Sequence, residues 1–418
     1  MKSSKYILML FIAIYISACL LSPFMDISGL EIRRSYIYAA LVIPSYILLI
    51  IVDFVLNKIA QLRGAESWLN IYERPLHEEK RIYGLDVIRF FAIIFVPSIH
   101  FMGLTGFYSA KLNGAEMFFA TCTRWIFICC VPLFLTITGY FKHTKDITFS
   151  HYKSIFAVLA THIFITSIRL AVDFKYHGIE LTREYVLDKL VYFEYGWYVK
   201  LYIGIMLLVP FFNLIWSSLK TRLNKELLIL TLILLCSMGP LTYGIIPSSW
   251  VIIYVFIYYF IGAYLYEYKV YINKWLNLLL IAGLLLLTAM GNFTNTMADG
   301  SFNWDFAAYG SNSGYSSLPA VMLTFLIMTL LIDVDTGIKP LRGFFYSFSV
   351  VSLEMYMLSQ MFDGIIYPKL NYSEFTDIFP YMPVVVGSIV ILSYISAQIK
   401  RLIFYVVMLP FKFVRSKK

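Results

Sequence analysis

Charge is scarce in this sequence. Only 14% of its 418 residues are Asp, Glu, Lys or Arg, against about a quarter in an ordinary soluble domain. With 60% hydrophobic and 18% aromatic residues, that shortage excludes a water-soluble globular chain. Cysteine is scarce too. Cys19, Cys122, Cys129, Cys130 and Cys236 all fall in apolar runs, where they act as small apolar residues and make neither a disulfide framework nor a metal-ligand spacing. The run 16-ISAC-19 has the form of a lipoprotein cleavage box, though an ordinary first span explains the same residues. Also missing are the ten-residue alternation of a membrane β-barrel, internal repeats, low-complexity tracts and any stretch that reads as a soluble catalytic domain. No nucleophile motif is present: no G-x-S-x-G elbow, no P-loop, no H-E-x-x-H, and no cysteine with a matching histidine.

What remains is a series of apolar runs, each near the roughly 20 residues needed to cross a bilayer as a helix. Hydropathy gives twelve, at about 6–23, 36–56, 86–104, 117–141, 153–172, 196–216, 226–244, 250–267, 275–291, 318–334, 345–366 and 381–399. The expected fold is therefore all-α: a polytopic integral membrane protein of about 12 transmembrane helices. Residues 1–80 hold two leading helices and most of a charged connector, 57-NKIAQLRGAESWLNIYERPLHEEKRIYG-84; residues 81–400 hold a ten-helix core; residues 401–418 are a basic tail. Placing both termini in the cytoplasm leaves only Arg33, Arg34, Lys111, Lys175, Arg183, Lys189 and Lys369 in loops on the far side. The cytoplasmic loops then carry a roughly threefold excess of basic residues. The +9 net charge orients the chain and is no footprint of nucleic acid. The longest far-side loops are 173–195 and 292–317, the latter rich in Gly, Ser, Asn and aromatics.

The third run, 84-GLDVIRFFAIIFVPSIHFMG-103, carries Asp86, Arg89, Pro97 and His100. Ionisable side chains inside a membrane are costly and point to function. Eleven residues bring a helix back within roughly 20° and about 16 Å higher, so Arg89 and His100 share a face, with Asp86 one turn below Arg89. Asp86 and Arg89 fit either a salt-bridged pair anchoring the helix end or a functional pair. His100, roughly mid-span, fits either a satisfied core histidine or a general base, because imidazole titrates near neutral pH. Pro97 frees the carbonyl of Ile93 and is expected to kink the helix. Lys200 follows Trp197 by three residues, so the two can line one cavity. Arg124, Arg169 and Glu354 lie in other runs, where pairing between helices or snorkelling explains the two arginines equally well.

These residues resemble the first core helix of the membrane acyltransferase-3 family, which carries L-D-x-x-R and a histidine eleven residues after the arginine; here they are Leu85-Asp86, Arg89 and His100. In order follow 131-VPLFLTITGYF-141, similar to the family's V-P-x-F-F-x-x-S-G-Y with Thr138 for serine, then 197-WYVKLYIGIMLLVPFFN-213, 256-FIYYFIGAYLYEY-268 and 347-SFSVVSLEMYMLSQMFDGIIY-367. The resemblance spans about 81–400. It departs from the pattern where relatives have R-x-x-R and 151-HYKSIF-156 keeps only Lys153, and where Tyr356-Met357-Leu358 is followed by Ser359-Gln360 instead of a histidine. The two leading helices are additional. The resemblance implies transfer of an acyl group, usually acetyl from acetyl-CoA, to a hydroxyl of a lipid-linked or surface glycan such as lipopolysaccharide or capsule, in a bacterial inner membrane. It implies His100 as base, Arg89 contacting the donor with Asp86 holding its guanidinium, and Lys142, His143 and Lys153 as further donor contacts. Trp197, Lys200 and Tyr356 would line the substrate cavity. No permanently bound cofactor is expected; acyl-CoA, the glycan and membrane lipid are the partners. A transporter or flippase of a glycan intermediate is the competing reading, although no inverted repeat supports it.

Overall fold

In lipid, an apolar run can satisfy its backbone amides only as a helix or a closed barrel, and this chain takes the helix. A computed structural model describes residues 2–21, 31–74, 81–238, 246–303 and 314–415. The chain starts with α1 (Lys2–Leu21) and α2 (Glu31–Leu62). The core follows as α3 (Tyr83–Leu104), α4 (Gly114–Phe127), α5 (Cys130–Lys142), α6 (Phe149–Tyr176), the short α7 (Arg183–Leu190), α8 (Trp197–Ser218) and α9 (Arg222–Ser237). It continues with α10 (Tyr254–Glu267), α11 (Lys274–Thr294), α12 (Leu318–Leu331), α13 (Lys339–Val350), α14 (Ser352–Ile366), the single turn α15 (Phe375–Ile378) and α16 (Met382–Arg415). Among the described residues, eight helical segments are long and apolar enough to cross a membrane. The chain is an all-α polytopic membrane protein.

Four of the twelve expected spans fall outside those eight. The runs 6–23 and 318–334 form shorter apolar helices, Ser4–Leu20 and Leu318–Leu331. The run 226–244 yields the 16-residue α9, and its end, 239–244, lies outside the described residues. The run 345–366 breaks at Val351 into α13 and α14, where 347-SFSVVS-352 mixes β-branched residues with serines that compete for backbone hydrogen bonds. The run 117–141 also breaks, at Ile128–Cys129. Pro132 then falls in the first turn of α5, where a missing N–H costs nothing. Residues 75–80 of the connector, 304–313 of the far-side loop and 416–418 of the tail lie outside the described residues.

Two glycines bring the central helices together. A Cβ at Gly139 of α5 would sit 2.0 Å from the carbonyl oxygen of Tyr259 on α10. One at Gly262 would sit 2.0 Å from that of Thr136. Small residues allow this close backbone approach between membrane helices. The connector is not all coil: β1 (Leu69–Glu73) pairs antiparallel with β2 (Tyr268–Ile272), Leu69 opposite Ile272 and Glu73 opposite Tyr268. The leading helices are also stitched to the core, since Tyr15 Oη donates to Thr288 Oγ1 of α11 at 3.1 Å and Ser4 bonds Glu226 of α9. By contrast, most of α2 from Ala40 onward faces outward, as a lipid-facing helix would.

Candidate active site

The site begins where α3 meets the end of α12. A Cβ at Gly84 would lie 2.2 Å from the carbonyl oxygen of Ile332, so the first turn of α3 is held tightly and the depth of Asp86 and Arg89 is set. Asp86, 3% exposed, accepts from Arg81 Nε at 3.1 Å and Nη2 at 2.8 Å. The Arg81 guanidinium in turn covers the ring of Tyr346 at 4.1 Å. Asp86 therefore makes its hydrogen bonds to Arg81 and none to Arg89, contrary to expectation. Arg81 precedes the helix and can fold back onto a first-turn carboxylate, while Arg89 takes a different hydrogen-bond partner. Arg89 Nη1 donates to Ser349 Oγ at 2.9 Å, with its guanidinium 5.0 Å from the ring centroid of Phe141.

Beside Arg89 lies a cavity of about 260 Å³. Its polar lining comes from Arg89, Thr138, Lys142, Ser349, Ser352 and Tyr356, and its apolar lining includes Phe134, Phe141, Tyr198, Tyr202 and Leu353. The break between α13 and α14 faces this space, which is where non-helical backbone at membrane depth is tolerated. Asn213 of α8 donates to the carbonyls of Lys142 (2.8 Å) and Lys145 (2.7 Å) and so fixes the end of α5 at the cavity.

From the cavity a polar face runs along α14. Ser352, Tyr356, Gln360 and Asp363 recur at steps of four, four and three, which is one face of a helix. Tyr356 Oη accepts from the backbone N–H of Tyr198 (3.3 Å) and from Gln360 Nε2 (3.4 Å). Gln360 Oε1 accepts from Arg169 Nη1 at 3.4 Å, and the Arg169 guanidinium lies 3.4 Å from the ring centroid of Tyr195. At the end of this face, Asp363 Oδ2 meets His100 Nδ1 at 2.7 Å. Asp363 is 5% exposed, whereas the His100 side chain retains 22% exposure. A carboxylate on Nδ1 fixes the tautomer with the proton on that nitrogen and leaves Nε2 as an acceptor. His100 is not at mid-span. Four residues remain in α3 beyond it, so the pair sits near the far end of the helix, roughly 16 Å from Arg89 along the axis.

Asp363 was not singled out by sequence reasoning. Its spacing from Tyr356 and Gln360 was a legible signal, but nothing in the chain tells which helix that face meets.

The remaining expected residues divide. Lys142 and Tyr356 line the cavity. His143 does not: its Nδ1–H donates to the Tyr140 carbonyl at 3.0 Å, and its ring lies 4.0 Å from that of Tyr266. Burial pushes the His143 imidazole below its usual value, so it is neutral near pH 7 and offers no cation to a phosphate. Lys153 is exposed on α6. Trp197 and Lys200 do not line the cavity; both are exposed, on the outward face of α8, because one helix cannot turn positions 197 and 200 inward together with the lining residues 198 and 202. Arg124 is buried among the rings of Tyr108, Trp125 and Phe302, and Glu354 pairs with Lys400 at 2.7 Å. Among the described residues, no group of three or more His, Cys, Asp or Glu is placed to hold a metal ion.

The acyltransferase-3 family model, described as an acyltransferase domain, matches residues 82–398. That stretch includes the cavity and the His100–Asp363 pair. Comparison with curated proteins finds no match, and neither does comparison with solved structures. The chain belongs to the acyltransferase-3 family and is a membrane acyltransferase.

Proposed function

We propose that this protein moves an acetyl group from acetyl-CoA to a hydroxyl of a lipid-linked or surface glycan. In this reading it resides in a bacterial inner membrane, with the Arg89 end of α3 on the cytoplasmic side. The observation that carries it is the polar face from the Arg89 cavity to the His100–Asp363 pair. One end offers cations and an aromatic-walled space suited to a phosphate-bearing thioester; the other offers a base. Arg89 and Lys142 contact phosphates of the donor, while the acyl-bearing arm extends along α14. A reach of roughly 16 Å suits an extended pantetheine arm.

The chemistry follows from the tautomer. His100 Nε2 takes the proton of the acceptor hydroxyl as its oxygen attacks the thioester carbonyl. Asp363 stabilises the imidazolium that forms. The new C–O bond is made, the C–S bond breaks, and the imidazolium returns its proton to the departing thiolate. The donor enters from one side of the membrane and the acceptor reaches His100 from the other, so neither substrate crosses the bilayer. Radiolabelled acetyl-CoA supplied to membranes tests this. Label is expected in envelope glycan with the wild type and reduced about 10²–10⁴-fold with His100→Ala. Equal labelling by that variant, at equal insertion, contradicts the assignment.

A further inference from the structure

Two buried polar atoms beside the His100–Asp363 pair have no hydrogen-bond partner among the described residues: Asp363 Oδ1 and Tyr367 Oη. They belong together. Tyr367 follows Asp363 by four residues, one turn on, and lies within the field of its carboxylate. Its ring packs against Phe101 at 6.1 Å between centroids, and Phe101 is the neighbour of His100 on α3. An acceptor oxygen and a phenol donor, one helical turn apart, are thus both left unpaired on the segment that carries the partner of His100.

Burying such atoms unpaired costs free energy, and a phenylalanine at 367 would avoid half of that cost. Unpaired polar atoms at a reactive centre are what a site for a polar ligand presents before the ligand arrives.

The geometry points to a subsite for a vicinal diol, as a pyranose ring carries, with Tyr367 as a positioning residue that selects the acceptor. This rests on the acyltransferase reading above and deepens it. One hydroxyl of the diol meets His100 Nε2 and is acylated. Its neighbour donates to Asp363 Oδ1 and accepts from Tyr367 Oη–H. The reaction balances as before: the proton of the first hydroxyl goes to Nε2 and then to the thiolate, C–O forms, C–S breaks, and the second hydroxyl keeps its proton. Asp363 then serves two ligands at once, the imidazole through Oδ2 and the sugar through Oδ1. A lone alcohol can react but leaves the second position unfilled.

The test uses the full chain in membranes with labelled acetyl-CoA and two soluble probes, sub-micellar octyl glucoside, which carries vicinal hydroxyls, and 1-octanol, which has one. The wild type is expected to prefer the glucoside by kcat/KM, and Tyr367→Phe to narrow that ratio about tenfold, mainly by raising KM for the glucoside. The variant is expected to melt no lower than the wild type, because the hydroxyl it loses has no partner in the fold. An unchanged ratio overturns the proposal, and so does equal loss with both acceptors. A lowered melting temperature also overturns it, since it would mean that the phenol has a structural partner. Failure of the acyltransferase reading looks different: the wild type itself would release no CoA with either acceptor, and the subsite would fall with it.

Discussion

With its Nδ1–H donating to Asp363 Oδ2 at 2.7 Å, a neutral His100 presents Nε2 as its acceptor. Arg89 and Asp86 work differently although they stand one turn apart. Arg89 lines the cavity; Asp86 is tied to Arg81. Arg89→Ala is expected to raise KM for acetyl-CoA at least about tenfold, the cost of a charged hydrogen bond. Asp86→Ala is expected instead to lower thermal stability by about 1–3 kcal/mol, with activity falling only as folded protein is lost. Donor titrations and melting curves on the two variants separate these outcomes; a donor KM shifted equally by both would show Asp86 acting through Arg89. At this scale the sequence was half legible. Helical spacing put Arg89 and His100 on one face, but the partner of His100 lies 263 residues away, and distance in the chain hides such pairs.

Among the elements, periodicity and hydropathy located the helices well, and missed where they break. The turns at Ile128–Cys129 and Val351 interrupt runs that hydropathy reads as continuous, because a tertiary contact or a cavity decides whether a weak helical stretch continues. The close crossing of α5 and α10 was equally invisible, since a glycine in an apolar run does not name its neighbour. Gly139→Ala places a methyl 2.0 Å from the Tyr259 carbonyl oxygen, too near for any rotamer to relieve. A loss of at least about 1–3 kcal/mol is expected from overpacking, read as a lower melting temperature in detergent. The same change at Gly204, where nothing lies within 4 Å, should be neutral or stabilising.

For the whole molecule, the leading helices looked additional to a ten-helix core, yet they are bound into it through Tyr15, Ser4 and the β1–β2 ribbon. One polar face of α14 runs from the Arg89 cavity, past Tyr356 and Gln360, to the His100–Asp363 pair. A donor-to-acceptor route along that face is what we propose, and Asp363, which holds His100, is the member whose loss tests it most directly. The decisive measurement is the rate of acetyl transfer from acetyl-CoA by Asp363→Asn, which keeps the shape of the side chain and removes its charge. A fall of about 10²-fold or more, with acetyl-CoA binding retained, is the predicted result. Transfer at the wild-type rate would contradict it.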